Sequence, residues 1–431
     1  MSSVLNWDKP RTLALALIQK AYRLKLYPTV EQADAFARFA GSCRWLWNYL
    51  LDLQHKKYEA EKKFIFRAEM QELLPGLKRE YPWMAEAPSN SLQRVCRNLD
   101  QALKKCFKEG AGFPRFKKRG VSREAFYVVN QGLRIENNRV VLPKMKQGVK
   151  FRSGRLPEGR ILSATVSQRA GTWWCVVQCE VEQNVDVIDA SSVSADAVIG
   201  VDVGLKSLMV CSDGVVVANP RRLSKAQKRL RRAQRILARR KKGSANRRRQ
   251  AARVAVIHTK VADYRADALH QATTALVRRA NIVVTEDLNI KGMVKNKRLA
   301  RSISDAGWGE ALRQISYKAE WAGKHHIKVG RFEPSTQKCS ACGNSRSGED
   351  RLRLHERTYR CGSCGNVADR DFNAALNLRN YGLDYVGQAM PERTGVIPVN
   401  ACGASSAGPD AIAFGRYGAL NQEPASTSDV G

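Results

Sequence analysis

The sequence predicts a multidomain α+β protein. An N-terminal helical unit is inserted into a small β-barrel, and a C-terminal α/β domain carries an inserted four-cysteine module. Three observations support this prediction. Apolar residues at helical spacing over 29–110 give way to alternation with a period of two up to about residue 184. A strand–hairpin–strand pattern opens a second domain near residue 197. Two C-x-x-C pairs follow in the C-terminal part of that domain.

The charge balance indicates a polyanionic partner. The 431 residues include 74 Lys and Arg against 40 Asp and Glu, which gives a formal net charge of +34 and an isoelectric point near 10.1. Such an excess repels itself unless a polyanion binds, so the composition favours nucleic acid as the partner. The alternative is a ribosome-associated protein or a merely supercharged surface.

The composition disfavours a membrane protein. The sequence has no stretch of about 18 apolar residues, and no basic amphipathic helix lies beside an apolar anchor. Seven of the 11 cysteines occur singly, which is typical of a reducing compartment rather than of a disulfide framework. We therefore expect a cytoplasmic protein without a membrane partner.

The N-terminal half begins with a predicted leader over residues 1–20. A strand-like alternation over 21–28 ends at a proline, and Thr29 is then placed to cap a long amphipathic helix. Helical spacing continues to define a helical domain over 29–118. The last helix of that domain has Asn90–Ser91 as its predicted cap.

A small β-barrel is predicted over 119–184, with the strand 21–28 as a further member. Two hairpin turns are expected within it, at Asn137–Asn138 and at Ala170–Gly171, because Asn and Gly tolerate the left-handed backbone that tight hairpins need. The helical domain would then be inserted between two strands of one barrel. The polar, small residues of 185–196 are predicted to form a linker.

Two basic segments are candidates for binding a phosphate backbone. The first is the GFPRFKKRG segment of residues 112–120. The second, residues 221–253, holds sixteen Lys or Arg and no acid, and Gly243–Ser244 divides it into a predicted helical hairpin. A purely solvated face would normally mix both signs of charge, so phosphate binding is favoured. The candidate contact residues are Arg115, Lys117, Lys118, Arg247, Arg248 and Arg249.

The α/β domain is predicted over 197–335 and 368–386. Its first strand ends at Asp202, and two further strands follow around an Asp213–Gly214 turn. A later apolar strand over 281–287 ends in two carboxylates.

Two helices are expected toward the C-terminal end of this domain. One covers 308–326, and the other is the DRDFNAALNLRNYG segment, which contains Asp371. The residues 387–431 are rich in Gly, Ala, Ser and Pro, and they are predicted to form a disordered tail.

The four paired cysteines predict a structural zinc site within residues 336–367. Two C-x-x-C pairs, each followed by a glycine, are separated by 18 residues and can each supply two thiolates to one tetrahedral ion. Paired redox cysteines are the alternative, but they would not require two matched pairs. The neighbouring histidines 325, 326 and 355 are expected to be surface or loop residues. The predicted ligands are Cys339, Cys342, Cys361 and Cys364.

Three acidic residues form the second candidate site. Asp202 and Glu286 each end an apolar strand, and Asp371 opens a helix. Nucleases of the RNase H-like type use carboxylates in such positions to bind two Mg²⁺ ions, for which Mn²⁺ can substitute. A lone Asp at a strand end is more often a cap or turn residue, so the D…E…D set carries the prediction. Its neighbours Asp287, Asp305 and Asp369 are the competing candidates.

These motifs resemble the TnpB (OrfB) family of insertion-sequence proteins, which is similar to the type V CRISPR effectors. The resemblance covers about residues 20–385. It is carried by IGVDVGLKSL, TEDLNI, RSISDAGWGEALRQISYKAEW, PSTQKCSACG and DRDFNAALN, and by YRLKLYPTVEQ and GFPRFKKRG in the N-terminal half.

The resemblance implies an RNase H-like (RuvC) nuclease domain with a zinc ribbon before its last catalytic Asp. It also implies a wedge β-barrel and a helical recognition domain. The family's catalytic residues fall on Asp202, Glu286 and Asp371. The implied partners are a guide RNA from the element's end and a double-stranded DNA target. The target would be cut next to a short adjacent motif, in a prokaryotic, nucleoid-associated setting.

Two other functions remain open from the sequence. A DNA-strand transferase of the same fold would use the same two-metal chemistry, although such enzymes usually present Asp, Asp and Glu in chain order. A non-catalytic nucleic-acid-binding regulator would not need the complete set of three carboxylates.

Overall fold

The structure is a computed structural model that describes residues 13–186, 194–353 and 355–389. Within these ranges the chain divides into two compact units. The N-terminal unit comprises residues 15–184 together with 220–268, and the C-terminal unit comprises 185–219 together with the residues from 269 onward.

Three helices form the first part of the N-terminal unit. They are α1 (Val30–Glu61), α2 (Arg67–Glu80) and α3 (Ser89–Glu109). Thr29 caps α1 as predicted: its hydroxyl accepts from the Gln32 amide nitrogen at 3.3 Å, and the Gln32 side chain accepts from the Thr29 nitrogen at 3.1 Å. The predicted cap of α3 is wrong. That helix begins at Ser89 after Pro88, and the Ser91 hydroxyl instead donates to the Tyr127 carbonyl oxygen.

Seven strands form one sheet in this unit. They are β1 (Leu13–Tyr27), β2 (Ala125–Val129), β3 (Arg134–Glu136), β4 (Arg139–Val141), β5 (Val149–Arg152), β6 (Arg160–Arg169) and β7 (Thr172–Asp186). Their order is β2-β6-β7-β1-β5-β4-β3, a half-barrel sheet. Because β1 lies between β7 and β5, the three helices follow one strand of this sheet in the chain and precede the other six.

The boundaries of β1 and β7 differ from the prediction. Residues 13–20, expected in a leader, are part of β1, because the apolar alternation extends back to the buried Ile18. Strand β7 likewise continues through residues 185 and 186 of the expected linker, of which 187–193 lie outside the described residues.

Both predicted hairpin turns are confirmed. Asn137 and Asn138 have φ values of 48° and 57°, and they connect the antiparallel strands β3 and β4. Ala170 and Gly171, with φ values of 47° and 79°, connect β6 and β7. Two consecutive residues in the left-handed region fit the twist of a two-residue hairpin.

Aromatic rings join the helices to the sheet. Phe36 and Phe39 of α1 contact Phe126 of β2 at centroid distances of 5.5 and 5.4 Å, and Phe36 also contacts Trp173 of β7 at 5.2 Å. All four side chains are buried. Such offset and edge contacts add about 0.5–1.5 kcal/mol per pair beyond the burial of apolar area.

The basic segment forms the predicted helical hairpin. Its helices are α4 (Arg222–Arg239) and α5 (Ala245–Arg279). A small apolar seam, including Leu230, Ala233 and Ile257, joins the two helices. The buried Gln250 amide donates to the Ala233 carbonyl oxygen at 2.9 Å.

The C-terminal unit contains a five-stranded sheet. Its strands are β8 (Val198–Asp202), β9 (Ser207–Cys211), β10 (Val216–Ala218), β11 (Ile282–Glu286) and β12 (His325–Val329), in the order β10-β9-β8-β11-β12. The first three pair antiparallel, whereas β11 and β12 run parallel to β8. The helices are α6 (Ile290–Met293), α7 (Ala300–Ala306), α8 (Trp308–Trp321) and α9 (Arg370–Ala389). A small sheet pairs β13 (Thr358–Arg360) with β14 (Val367–Asp369).

The expected helix over 308–326 is too long. It ends at Trp321, and Gly323, with φ 67°, turns the chain into β12. His325 is therefore buried at the start of the edge strand β12, and the His326 ring nitrogen hydrogen-bonds the Thr285 hydroxyl at 2.9 Å. Neither histidine is the surface or loop residue that we expected, while His355 is exposed.

The end of α9 differs from the predicted start of the tail. Helix α9 continues to Ala389, so residues 387–389 are helical rather than part of the expected tail, and 390–431 lie outside the described residues.

Across the part of the chain that the structure describes, we find no helix with the length and apolar character needed to cross a membrane.

Candidate functional site

Two strand ends bring Asp202 and Glu286 side by side. Strands β8 and β11 are parallel neighbours, with Val201 opposite Thr285 in the register. The next residue of each strand is Asp202 and Glu286, so both carboxylates leave the same edge of the sheet. The four residues before each carboxylate are buried, which anchors both strand ends in the core of the unit.

Helix α9 supplies the third carboxylate, Asp371, by packing directly against β8. The approach is close enough that a Cβ atom on Gly200 would lie 2.1 Å from the Ala375 carbonyl oxygen and 2.5 Å from the Arg379 nitrogen. Ala374 and Ala375 are fully buried at this contact. The lack of a side chain at Gly200 therefore sets the distance between the strand that ends in Asp202 and the helix that begins beside Asp371.

The variant Gly200→Ala should destabilise the C-terminal unit by about 1–3 kcal/mol, because two backbone segments must separate to admit the methyl group. The same displacement moves α9 away from β8. Thermal and urea unfolding would measure the loss. Gly330→Ala is the matched control, since a Cβ there meets no atom within 4 Å. Equal stability of the two variants would contradict the proposed close packing.

The competing carboxylates have structural partners. The exposed Asp369 caps α9: its Oδ1 atom accepts from the backbone nitrogens of Asp371 at 2.9 Å and of Phe372 at 3.2 Å. Asp287 pairs with Arg331 at 2.9 Å. Asp305 lies within α7 and is buried. Asp371 is thus the carboxylate that α9 presents beside the two strand ends.

Two arginines that the sequence did not single out contact Asp371. The Arg370 Nη2 atom lies 2.9 Å from Asp371 Oδ1, and the Arg357 Nη1 atom lies 3.7 Å from Oδ2. Arg370 also donates to the Glu356 carbonyl oxygen at 3.3 Å, which connects this pair to the segment before β13. The guanidinium groups supply positive charge at a carboxylate that would otherwise face other carboxylates.

The three acids interact electrostatically. Burial raises the pKa of Asp202 to about 7, with further contributions from the negative charges of Asp371 and Glu286. The pKa of Glu286 is also raised, first by burial and then by the charge of Asp287. A divalent cation would relieve this repulsion, and carboxylate oxygens are the ligands that Mg²⁺ prefers. The donor set therefore fits hard divalent cations.

The raised pKa predicts how stability depends on pH. Since the folded protein holds the Asp202 proton more tightly than the unfolded chain, the free energy of unfolding should fall as pH rises from about 4 to about 7. Asp202→Asn removes this loss and should be more stable than wild type at pH 8 by roughly 2 kcal/mol. Urea unfolding at pH 5 and pH 8, without added Mg²⁺ or Mn²⁺, measures the difference. Parallel pH profiles for the two proteins would count against a buried, repelled Asp202.

A groove lies beside Asp371 at the start of α9. It has a volume of about 420 Å³ and is lined in part by Lys206, Gly214 and Val216 from the β8–β10 region and by Asp369 and Phe372 from the end of β14 and the start of α9. The loop after Asp202 is fixed by Trp308, whose indole nitrogen donates to the Gly204 carbonyl oxygen at 3.1 Å.

The four cysteines meet at one point. The Sγ atoms of Cys339 and Cys364 are 3.8 Å apart, those of Cys342 and Cys361 are 3.6 Å apart, and all four lie within 4.8 Å of one another. A tetrahedral zinc ion with Zn–S bonds of about 2.3 Å requires S–S distances of about 3.8 Å. The Cys364 and Ser363 backbone nitrogens donate to Cys361 and lower its pKa to about 6. The cluster can therefore hold a metal such as zinc.

The acidic set is less compact than the cysteine cluster. Among the described residues, the four cysteines form a group whose potential metal-ligating atoms all lie within 4.8 Å of one another. The three carboxylates do not meet this criterion. Three carboxylates that share two cations about 3.5–4 Å apart have no need to meet so closely.

A row of asparagines connects the cysteine module to α9. The buried Asn373 donates to the Lys338 carbonyl oxygen at 2.8 Å and accepts from the Ser340 nitrogen at 3.0 Å. The buried Asn377 donates to the carbonyl oxygens of Ser335 and Lys338, each at 2.7 Å. These residues lie one turn apart on one face of α9, so their spacing in the sequence could have identified them. They fix the first cysteine pair to the helix that carries Asp371.

The basic candidates of residues 112–120 differ in their surroundings. Arg115 and Lys118 are exposed. Lys117 is half-buried, with its ammonium nitrogen 3.8 Å from the Trp47 ring centroid, and burial lowers its pKa to about 8. The backbone of this segment is fixed to α1, because the Lys117 nitrogen donates to Asn48 at 2.7 Å. These contacts give Lys117 a packing role within the unit.

The three candidate arginines of the α4–α5 hairpin also differ in their exposure and hydrogen bonds. Arg247 donates to the carbonyl oxygens of Leu237 at 2.8 Å and Arg240 at 3.1 Å, so it caps the C-terminal end of α4. Arg248 and Arg249 are exposed. Arg247 is half-buried, so Arg248 and Arg249 are the more accessible of the three arginines.

Three family models match the chain. One described as "Probable transposase" (OrfB_IS605) matches residues 177–297, and a "Helix-turn-helix domain" model (HTH_OrfB_IS605) matches 18–63. A third, described as "Cas12f1-like, TNB domain", matches 308–378 and therefore spans the cysteine cluster.

Known proteins are similar over most of the chain. A Streptomyces pristinaespiralis protein named "Putative RNA-guided DNA endonuclease" is 34% identical over 380 residues, covering 85% of this chain and 90% of its own. Escherichia coli K12 "Putative RNA-guided DNA endonuclease InsQ" is 34% identical over 350 residues, covering 77% and 85%. A solved structure of a Cas12f1–sgRNA–target DNA complex matches with a TM-score of 0.52 at 16% identity, covering 82% of this chain and 83% of the other. This last similarity shows a Cas12-like fold.

Proposed function

Since this chain belongs to the TnpB (OrfB) family of insertion-sequence proteins, we propose that it is an RNA-guided, divalent-metal-dependent DNA endonuclease. One observation carries the proposal. The carboxylates of Asp202, Glu286 and Asp371 interact at one edge of the C-terminal sheet. Up to about 170 residues separate them in the chain. The sheet order supports an RNase H-like (RuvC) domain, with three antiparallel strands followed by two strands parallel to the first.

Asp202, Glu286 and Asp371 would hold the catalytic cations. Two such ions, Mg²⁺ or Mn²⁺, supply positive charge for activating a water molecule and for stabilising the leaving 3′ oxygen. The residues of this chain position the acids: β8 and β11 fix two of them at adjacent strand ends, and α9 adds the third. Arg370 and Arg357 balance the charge of Asp371 before cations bind.

The zinc cluster has a structural role in this proposal. All four ligand positions of a tetrahedral ion would be filled by cysteine, which leaves no open position for substrate. Together with the Asn373 and Asn377 contacts, the module would hold the start of α9 in place. We assign it as the zinc ribbon that interrupts the nuclease domain between Glu286 and Asp371.

The partners in this proposal are a guide RNA from the element's end and a double-stranded DNA target beside a short adjacent motif. Base pairing would carry the sequence information, while cationic surfaces hold the backbones. The net charge of +34 supports such partners. In this arrangement the half-barrel sheet is the wedge domain and helices α1–α3 are the recognition domain.

A transposase is the second candidate, because one matching family model is described as "Probable transposase". Both reactions would use the same carboxylates. They differ in their products: an endonuclease leaves cut target ends, whereas a strand transferase joins an element end to the target. The Asp–Glu–Asp chain order favours the endonuclease over the usual Asp–Asp–Glu order of transferases. A non-catalytic regulator would need neither the acids nor their close approach.

The test is cleavage of plasmid DNA by protein purified together with its RNA. Sequencing that RNA defines the guide, and plasmids carrying a matching or a scrambled target are then incubated with and without Mg²⁺. We expect cutting only of the matching plasmid and only with Mg²⁺. Joined products would favour the transferase, and an intact matching plasmid under all conditions would contradict the nuclease proposal.

The exposed arginines of the basic hairpin give a further prediction. Arg248→Ala with Arg249→Ala should weaken binding to duplex nucleic acid and reduce the slope of log affinity against log salt by about 1.8, since each lost phosphate contact contributes about 0.9. Arg247 is excluded because it caps α4. Affinities measured at several salt concentrations provide the slope. A slope equal to that of wild type would show that these arginines do not contact phosphates.

A further inference from the structure

An exposed cluster of aromatic rings lies where α1, α3 and the GFPRFKKRG segment meet. We call it the ring cluster, and its members are His55, Tyr58, Phe64, Phe107, Phe113 and Phe116. Neither the carboxylates nor the zinc module is part of it. Its rings come from α1, the loop that follows α1, α3 and the GFPRFKKRG segment, so the fold has to assemble it.

Two nearly parallel ring pairs form the framework of the ring cluster. Tyr58 and Phe64 stack at a centroid distance of 4.8 Å and an interplanar angle of 20°, and His55 and Phe116 stack at 6.0 Å and 22°. Phe64 joins the pairs through Phe113 at 6.2 Å, and Phe113 joins His55 at 5.2 Å. Phe107 contacts Phe64 at 4.9 Å, so Phe107 and Phe116 are the two ends of this series of ring contacts.

The outer rings are open to solvent. Phe107 and Phe116 are each 48% exposed and Tyr58 is 44% exposed, whereas Phe64 and Phe113 are half-buried. Phe113 packs against the main hydrophobic core of the unit. The half-buried inner rings therefore hold the cluster in place. The exposure of Phe107 and Phe116 within one cluster is not explained by packing, because burying each ring would be favourable.

The charges around the ring cluster have one predominant sign. Residues 55–66 and 104–119, which contain all six rings, include eleven Lys or Arg and three acids. Two of the ammonium groups already lie over aromatic rings: the Lys62 nitrogen is 5.2 Å from the Tyr58 centroid, and the Lys104 nitrogen is 5.9 Å from the centroid of the neighbouring Phe66. A surface for another protein would instead be depleted of lysine at its centre.

We propose that the ring cluster binds single-stranded nucleic acid by stacking unpaired bases on Phe107 and Phe116. Aromatic faces beside cations match both parts of a single strand, since the bases have π-faces and the backbone is anionic. A duplex cannot use the rings in this way, because its bases already stack on each other. This site lies outside the proposed nuclease centre and does not depend on cleavage.

The experiment measures binding of oligonucleotides to the full chain carrying Asp202→Ala, freed of co-purified nucleic acid and without added Mg²⁺. The probes are a thymidine strand of about 12 nucleotides, an abasic strand of the same length and a duplex. Phe107→Ala with Phe116→Ala should lower the affinity for the thymidine strand by about 30-fold or more, since each lost stack contributes about 5- to 150-fold. Affinities for the abasic strand and the duplex should change little.

Phe107→Leu with Phe116→Leu is the matched control. It keeps most of the apolar area but removes the flat rings, so its affinity for the thymidine strand should also fall. Thermal unfolding checks that both variants remain folded. Equal losses on thymidine and abasic strands, or no loss on either, would overturn the proposal. So would unchanged strand binding accompanied by a change in self-association, which would assign the surface to protein contacts.

Discussion

Replacing Asp202 with asparagine should lower the rate of DNA cleavage by about 1,000-fold or more while leaving target binding nearly unchanged. A carboxylate that binds a catalytic cation contributes several kcal/mol to transition-state stabilisation, and each 1.4 kcal/mol corresponds to a factor of ten in rate. Asparagine keeps the size of the side chain, so the close packing of β8 and α9 through Gly200 is retained. Single-turnover cleavage with saturating protein isolates this chemical effect from binding.

Asp287→Asn is the matched control for this prediction. Asp287 follows Glu286 directly and is exposed, but it pairs with Arg331. Its cleavage rate should stay within about tenfold of wild type, since a surface ion pair contributes little. If the Asp202 variant cut at the wild-type rate, or if both variants lost activity equally, the assignment of the catalytic acids would be wrong.

Replacing Cys361 with serine should release the zinc ion and also reduce cleavage by about 10- to 100-fold. Zinc supplies much of the folding free energy of a small cysteine module. Loss of the module removes the backbone carbonyl oxygens of Ser335 and Lys338 as partners of Asn373 and Asn377. The start of α9, which carries Asp371, then loses its fixed position, and displaced supporting contacts typically cost one to two orders of magnitude. Elemental analysis and cleavage kinetics measure the two effects.

Two variants separate zinc binding from the positioning of Asp371. Cys106→Ser, at a single cysteine of α3, should retain both zinc and activity. Asn377→Ala should retain zinc yet lower activity, because it removes two of the hydrogen bonds that join the module to α9 and leaves the four cysteines unchanged. Full activity of the zinc-free Cys361 variant would show that the module does not position the catalytic helix.

The parts of the site with local signals were predictable from the sequence. The cysteine spacing gives the ligand set without any tertiary information, and the structure brings the four sulfurs together. The apolar runs before Asp202 and Glu286 predict buried strands that end in carboxylates, and the register places them side by side. The alternation before Pro28 and the alternation after residue 119 predict strands, and both regions contribute strands to the seven-stranded sheet.

The features that depend on non-local partners were not predictable in this way. The sequence HHIKV matches a helical continuation as well as a strand, and pairing with β11 decides between them. Arg247 looks identical to its neighbours in the chain, yet the end of α4 gives it carbonyl partners. The cap that Asp369 forms on α9 is local but was not anticipated, and it separates that residue from the catalytic set.

The packing of α9 on β8 also determines when the set of three acids can be completed during synthesis of the chain. About 170 residues separate Asp202 from Asp371, so a ribosome adding 5–20 residues per second needs roughly 10–30 s to make the intervening chain. Until then the buried face of β8 lacks the helix that covers it, and the acidic site lacks its third member. A nascent chain that has not reached α9 would therefore lack one of the three acids that we propose for cleavage. Under the proposed function, the order of the elements delays cleavage until α9 has been synthesised.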